Sequence, residues 1–166
     1  PMSAEQHDLQ ARLVERYDRL RSGKVDPRVD NALAITTDGR KLALDARLLS
    51  SDAEDFPGSK INALADNVAA IWRTTTGKRG AQLVFSDIGV NPTPWGYSVY
   101  QDLTRKLIER GIPREQIAAI GDADTDAKKQ VLFDKVRAGT IRVLLGSTQK
   151  MGTGTNVQKR LVALHH

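Results

Sequence analysis

Residues 117–145 read IAAIGDADTDAKKQVLFDKVRAGTIRVLL, and they are the most informative stretch for the fold class. Apolar runs of strand length stand at both ends, at 117–120 and 141–145. Between them apolar residues recur at helical spacing over 125–138, up to Gly139, a residue typical of a helix C-cap. Outward from this unit, further strand-length runs lie at 82–85 and 161–165, with helical patterns at 59–75 and 97–110. This alternation predicts an α/β fold with a parallel sheet flanked by helices.

The first 58 residues follow a different pattern. Leu9, Leu13 and Tyr17 lie on one apolar stripe and predict a helix over about 4–21. Residues 31–49 are ambiguous, because 33–36 could be extended whereas 40–49 are typical of a short helix. Residues 50–58 are polar and rich in turn formers, which predicts a loop. We therefore expect 1–58 to be a helical segment or linker and 59–166 to form the α/β domain.

Composition excludes several classes of protein. The chain has 166 residues, no cysteine and a formal charge of +5, which excludes a disulfide scaffold and any thiolate metal site. No apolar stretch approaches the roughly 20 residues that span a bilayer. We expect a cytoplasmic protein without membrane contact and, because Pro1 precedes the first Met, a piece of a longer chain. The last 26 residues contain no Asp or Glu and are a candidate polyanion contact through their four cations, Arg142, Lys150, Lys159 and Arg160.

Several well-known sites are missing from the sequence. Gly77-Lys78 is followed by Arg79, so there is no Walker A loop, and Val157 stands where a dinucleotide fingerprint needs a small residue. The alternating carboxylates of 122–126 lack the Gly and Glu of a calcium loop and are better explained as a helix N-terminus. The three histidines have no partners at triad or metal spacing. No catalytic or metal-ligating residue is predicted.

The segment after the strand at 141–145 carries the chemistry that the sequence does contain. Residues 146–157, GSTQKMGTGTNV, follow a parallel-type strand at its carboxyl end, where open α/β sheets bind ligands. The hydroxyls and amides of Ser147 and Thr148 can donate to phosphate oxygens, and Lys150 adds a positive charge. Asn156 can hydrogen-bond to a sugar hydroxyl. The alternative is an ordinary glycine-containing connection between a strand and a helix.

This segment resembles motif V of superfamily 2 helicases, in particular their Swi/Snf-type branch. Its residues match the pattern Ser-Thr-x-x-x-Gly-x-Gly-x-Asn position by position at Ser147, Thr148, Gly152, Gly154 and Asn156. Residues 82–86, QLVFS, resemble motif IV, and residues 117–133 resemble the segment between the two motifs. Order and spacing agree over 60–166. Within the family, the sequence is similar to those of helicase-like proteins of phages and mobile elements, some of which are fused to DNA methyltransferases.

The resemblance implies a specific fold and role. Residues 59–166 would be the C-terminal RecA-like lobe, a three-layer sandwich that ends before the arginine-rich motif VI. The isolated lobe would be inactive, because it lacks the Walker motifs and motif VI. ATP with Mg²⁺ would bind between this lobe and the N-terminal lobe of the longer protein, without tight binding to this fragment. Gly152, Gly154 and Asn156 would lie near the nucleotide.

The resemblance also implies contacts with nucleic acid, DNA in preference to RNA. The residues that would lie along the strand are Ser86, Gly121, Ser147, Thr148 and Lys150. Two other hypotheses stay open at this point. The chain could be a non-catalytic α/β module that docks nucleic acid or protein, or a small-molecule enzyme, although no acid–base pair is visible.

Overall fold

The computed structural model of the chain describes residues 2–23, 25–26, 28–151 and 156–166. They group into two compact units. A helical unit comprises the residues up to Ala63 together with Thr93–Tyr97, and a sheet unit comprises Leu64–Pro92 and Ser98–His166. No helix among the described residues is long and apolar enough to cross a bilayer.

Two helices dominate the helical unit, α1 (Ala4–Arg21) and α2 (Ala32–Leu44). The first begins at a capping box, in which Ser3 and Gln6 exchange side-chain and backbone hydrogen bonds. Arg16 joins the two elements, since its guanidinium donates to Asp30 and to Asp38, each at 2.8 Å. A 3₁₀ helix follows at Ala46–Leu48.

The structure differs from the sequence-based expectation in this unit. Residues 33–36, which the sequence left open as an extended segment, belong to α2. The Asn31 side chain accepts the Ala34 N–H at 2.9 Å, and this cap starts the helix earlier than the apolar spacing indicated. The helix expected at about 4–21 is present as α1, but none of its residues is buried. Val14 and Tyr17 are 55% and 50% exposed.

The sheet unit contains four strands, namely β1 (Ala81–Phe85), β2 (Ile117–Ala119), β3 (Val143–Gly146) and β4 (Leu161–His165). Its helices are α3 (Lys60–Thr74), which begins within the helical unit, α4 (Val99–Glu109), α5 (Asp126–Ala138) and the short α6 (Thr148–Met151). Short 3₁₀ helices lie at Thr76–Lys78, Arg114–Gln116, Ile120–Asp122 and Gln158–Arg160. All strands are parallel, in the order β2-β3-β1-β4. The predicted α/β class with a parallel sheet is confirmed.

Two layers of helix cover the two faces of this sheet. On one face, Leu83 and Leu144 join a core with Phe133 and Val136 of α5. On the other, the fully buried amide of Gln82 donates to the Val68 carbonyl of α3 at 2.9 Å. Because side chains alternate along a strand, neighbouring residues of β1 pack against different helices. The resulting arrangement of three layers is compatible with a RecA-like sandwich.

The bounds of α5 agree with the prediction, but the burial of one of its apolar residues does not follow from the pattern. Thr125 caps its N-terminus by accepting the Lys128 N–H, and Gly139 ends it in the left-handed conformation, at φ +78°. Val131 belongs to the apolar pattern that predicted this helix, but it is 55% exposed. It lies two residues from Phe133 and therefore about 200° away around the helix axis, facing away from the sheet.

The order of the strands creates a switch point in the sheet. The connection after β1 leads over β3 to β2, whereas the connection after β3 leads over β1 to β4. Since parallel crossovers are almost always right-handed, these connections leave the sheet toward opposite faces. The carboxyl ends of β1 and β3 therefore border the crevice in which open α/β sheets bind ligands.

Candidate nucleic-acid interface

The segments that follow β1 and β3 meet at this crevice. Ser86 follows β1, and its N–H donates to the carbonyl of Gly146, the last residue of β3, at 3.0 Å. The hydroxyl of Ser86 donates to its own loop, to the Ile88 carbonyl at 2.8 Å. The Ser86 carbonyl accepts from the Tyr100 hydroxyl at 2.9 Å. The backbone after β1 is thus held in place by hydrogen bonds on both sides.

Thr148 makes the most specific contact at the crevice, and its partner is Asp87. The Thr148 N–H donates to one oxygen of the Asp87 carboxylate at 2.8 Å, and its hydroxyl donates to the other oxygen at 3.0 Å. Both groups are exposed. The residue expected to grip a phosphate therefore already holds an anionic group of the same chain through two donors that a phosphate would use.

Lys150 and Gly121 also come together, from the segments after β3 and β2. The Lys150 Nζ lies 4.0 Å from the position that a Cβ would take at Gly121, so the glycine leaves room for the ammonium group. Lys150 is exposed and has no carboxylate partner among the described residues. The hydroxyl of Ser147 accepts the Lys150 N–H at 3.3 Å, which fixes the start of the short helix.

Behind these residues Gly146 and Met151 determine how closely α6 approaches the sheet. A Cβ at position 146 would lie 2.5 Å from the Met151 Cγ and 2.7 Å from Ile120. Met151 is 3% exposed and belongs to the core on the α5 face. Met151 therefore acts as a core residue that anchors the segment from Ser147 onward.

A cleft of about 570 Å³ opens beside the site. Its lining residues from α4, from the segments on either side of β2 and from the segment after β3 include Tyr100, Thr104, Arg105, Arg114, Gly121 and Lys150. Burial, and then the nearby charge of Asp87, raises the pKa of Tyr100 to about 12. The tyrosine hydroxyl therefore keeps its proton at neutral pH and remains a donor to the loop after β1.

The predicted site residues differ in where they lie, and two of them are not described. Ser86, Gly121, Ser147, Thr148 and Lys150 all follow carboxyl ends of strands, at one edge of the sheet. The carbonyl of Asn156, an exposed residue, accepts from Arg137 in the last turn of α5 at 2.7 Å. Gly152 and Gly154 lie outside the described residues.

Sequence reasoning missed Asp87 and Tyr100. Asp87 could have been suspected as a polar residue directly after a strand end, but nothing local signals that it would reach Thr148, 61 positions away. Tyr100 belongs to the first turn of α4, and its role depends on how that helix lies over the loop after β1. Among the described residues no group of three His, Asp or Glu side chains could hold a metal ion.

The basic end of the chain separates into structural and exposed cations. Arg142 is 3% exposed and donates to the carbonyls of Trp72 and Gly80, at 2.6 and 3.1 Å. Arg160 donates to the carbonyls of Arg137 and Lys78, at 2.9 and 2.7 Å. Both arginines thus satisfy backbone groups at helix ends. Of the four predicted cations, Lys150 and Lys159 are exposed.

Comparisons of the chain with models of protein families, with curated proteins and with solved structures find no match.

Proposed function

We propose that residues 59–166 are the second lobe of an ATP-dependent nucleic-acid translocase, and that the crevice between β1 and β3 grips backbone phosphates. The observation that carries this proposal is the contact of Thr148 with Asp87. It joins the segment that resembles motif V to the segment directly after the one that resembles motif IV, at the switch point of a parallel sheet.

The geometry supports a phosphate grip in three ways. Thr148 presents an N–H and an O–H that already bind two oxygens of one anionic group, as they would bind two oxygens of a phosphate. Lys150 supplies an exposed positive charge nearby in the same short helix. All of these groups address oxygens and charge and none addresses base edges, so binding would be independent of base sequence.

In this proposal a phosphate replaces Asp87 on Thr148. The carboxylate holds the two donors in place while no strand is bound, and the phosphate takes them over when the strand enters the cleft. Lys150 favours this exchange, because its charge attracts the phosphate. Asp87 opposes the exchange, because two anions cannot share the same two donors without repulsion.

The proposal that ATP binds beside this lobe rests on the sequence resemblance. Asn156, the one predicted nucleotide residue that is described, contacts Arg137 of α5 through its backbone carbonyl. In the family that the sequence resembles, ATP bound with Mg²⁺ supplies the free energy that closes and opens the two lobes. The residues of this crevice account for the hold on the strand only.

One observation favours the alternative of a non-catalytic docking module. Both donors of Thr148 are occupied by a residue of the same chain, which is also what a purely structural connection between two loops would show. Such a module would keep the fold without exchanging Asp87 for a phosphate. The two proposals therefore differ in whether nucleic acid reaches Thr148.

Amide chemical shifts of the labelled chain, titrated with a short duplex and with the matching single strand, test the proposal. We expect shifts at residues 86–87, 121 and 147–151 that decrease with salt. In Thr148→Val, which removes the hydroxyl and keeps the shape, these shifts should require more nucleic acid. In Lys150→Gln the slope of log K against log salt should fall in magnitude by about 0.7–0.9, the value of one phosphate contact.

Lys41→Gln is the matched control, because it removes the same charge from a lysine that pairs with Asp38 in the helical unit. Its slope should equal that of the unchanged chain. Absence of shifts in the crevice at low salt, with either nucleic acid, would contradict the phosphate grip and favour the docking module.

A further inference from the structure

The opposite edge of the sheet carries a second group of cations. The residues just before β1 and just before β4 are Lys78 and Arg79, and Lys159 and Arg160, respectively. We name these four residues the basal surface. They lie at the amino ends of the strands, roughly 20 Å along the sheet from the crevice at the carboxyl ends. A cavity of about 360 Å³ is lined here by Lys78, Gly80, Lys159, Arg160, Leu161 and Val162.

Hydrogen bonds within the fold account for Arg160 and leave the other three cations without a partner. Arg160 holds two backbone carbonyls, as described above. The side chains of Lys78, Arg79 and Lys159 are exposed and make no hydrogen bond or ion pair with any residue in the described parts of the chain. Arg137 pairs with Asp134, and neither residue belongs to the basal surface.

The charges of this edge repel one another inside the fold. Arg142 lies buried behind the surface, and its pKa is lowered by burial and next by the positive charge of Arg79. The local sequence offers no compensation, because residues 67–86 and 135–166 contain neither Asp nor Glu. An uncompensated cluster of this kind destabilises a folded chain, unless an anion from outside neutralises it.

The backbone conformation at Arg79 is also unusual. Arg79 has φ +49° and ψ +49°, the left-handed region that favours glycine, and it is the one described residue other than glycine with a positive φ. Its Cβ lies 2.8 Å from where a side chain at Gly139 would begin, so the connections before β1 and β3 approach each other closely. A strained arginine where glycine or asparagine would fit better points to a use of its side chain.

We propose that the basal surface binds the phosphate backbone of nucleic acid as a second contact, separate from the crevice. An acidic protein partner would need an apolar or aromatic anchor at the centre of its interface. None of the strongly exposed large hydrophobic residues described in the sheet unit belongs to this surface, since they are Ile108, Val131 and Leu164. Backbone phosphates require only cations, which is what the surface offers. This inference does not rest on the proposed function, because the two sites share no residue.

The test measures the affinity for a duplex of about 20 base pairs between about 50 and 200 mM salt, by fluorescence anisotropy. Lys78→Gln/Lys159→Gln should lower the magnitude of the salt slope by about 1.8, the value of two phosphate contacts on duplex DNA. Lys78→Arg/Lys159→Arg should keep the slope. The matched control, Arg12→Gln/Lys41→Gln in the helical unit, removes the same charge and should leave the slope unchanged.

A second variant separates binding from folding. Arg79→Asn removes the charge but tolerates the left-handed backbone, so it should weaken binding while the chain stays as stable as before, or becomes more stable. A loss of affinity accompanied by a loss of stability would count against a direct contact.

Variants of the two sites distinguish the two proposals. If the Gln pair at 78 and 159 behaves like its control while Thr148→Val and Lys150→Gln weaken binding, the basal surface is refuted and the crevice is supported. If only the basal variants weaken binding, the crevice loses its support and the basal surface stands. If the basal variants alter binding of an acidic polypeptide but not of the duplex, the partner class proposed here is wrong.

Discussion

Replacing Asp87 by Asn tests whether a phosphate exchanges with this carboxylate. In the unchanged chain the Thr148 nitrogen lies 2.8 Å from the Asp87 Oδ1. Asn keeps an oxygen that can accept this N–H, but it removes the negative charge. Once a phosphate has taken its place on Thr148, the displaced carboxylate would still lie about 5 Å from the phosphate, given ordinary hydrogen-bond lengths. Two unit charges at about this distance repel by about 0.8 kcal/mol in water. We therefore expect Asp87→Asn to bind nucleic acid about fourfold more tightly at low salt.

Salt provides the internal check on this magnitude. At about 0.1 M salt the Debye length is about 10 Å, which reduces the repulsion to about 0.5 kcal/mol and the gain to about twofold. The assay is anisotropy with a labelled duplex at several salt concentrations. Glu115→Gln is the matched control, since this exposed carboxylate precedes β2 at the other edge of the sheet. Its affinity for the duplex should increase little.

The opposite result would refute the reasoning. If Asp87→Asn binds more weakly than the unchanged chain, the contact between Asp87 and Thr148 belongs to the bound conformation and no exchange takes place. If its gain equals that of Glu115→Gln at every salt concentration, the effect is one of net charge alone, and Thr148 is not where the phosphate binds.

Two further predictions concern stability. Gly146→Ala should destabilise the chain by about 1–3 kcal/mol in urea unfolding, because the new Cβ would lie 2.5 Å from the Met151 Cγ. In the control Gly77→Ala the new Cβ meets nothing within 4 Å, so the free energy of unfolding should change little. His165 should make stability depend on pH, because burial lowers its pKa below the unfolded value of 6.5 and its Nε2 lies 2.9 Å from the Gln82 Oε1. Since the unfolded chain takes up the proton first, stability present above pH 6.5 should be lost as the pH falls toward the folded-state pKa, and urea midpoints should fall less in His165→Gln.

Much of the fold followed from local pattern. The helices at 60–74 and 126–138 and the strands at 81–85 and 161–165 lie within a residue or two of their predicted bounds. The convergence of Ser86, Gly121 and Thr148 could also be expected, because parallel strands place their carboxyl ends at one edge. The exposure of Val131 could not, since the helical period alone does not tell which flank of an apolar stripe meets the sheet.

The role of each cation was beyond the reach of sequence reasoning. Counting charges treats Arg142, Lys150 and Lys159 alike, yet the first is buried beneath the end of α3 and the others are exposed. Whether an arginine meets a carbonyl or solvent depends on residues more than 60 positions away, such as Gly80 for Arg142.

Two kinds of information therefore separate in this protein. Hydrophobic period, helix caps and glycine positions depend on neighbours within a few residues, and the sequence alone was enough to predict the α/β class with its parallel sheet. The pairing of Asp87 with Thr148 and the cluster of cations at the basal surface arise only when distant segments are packed together. Their hydrogen bonds and repulsions act over a few ångströms in space, and these distances exist only once the strands have taken their order in the sheet.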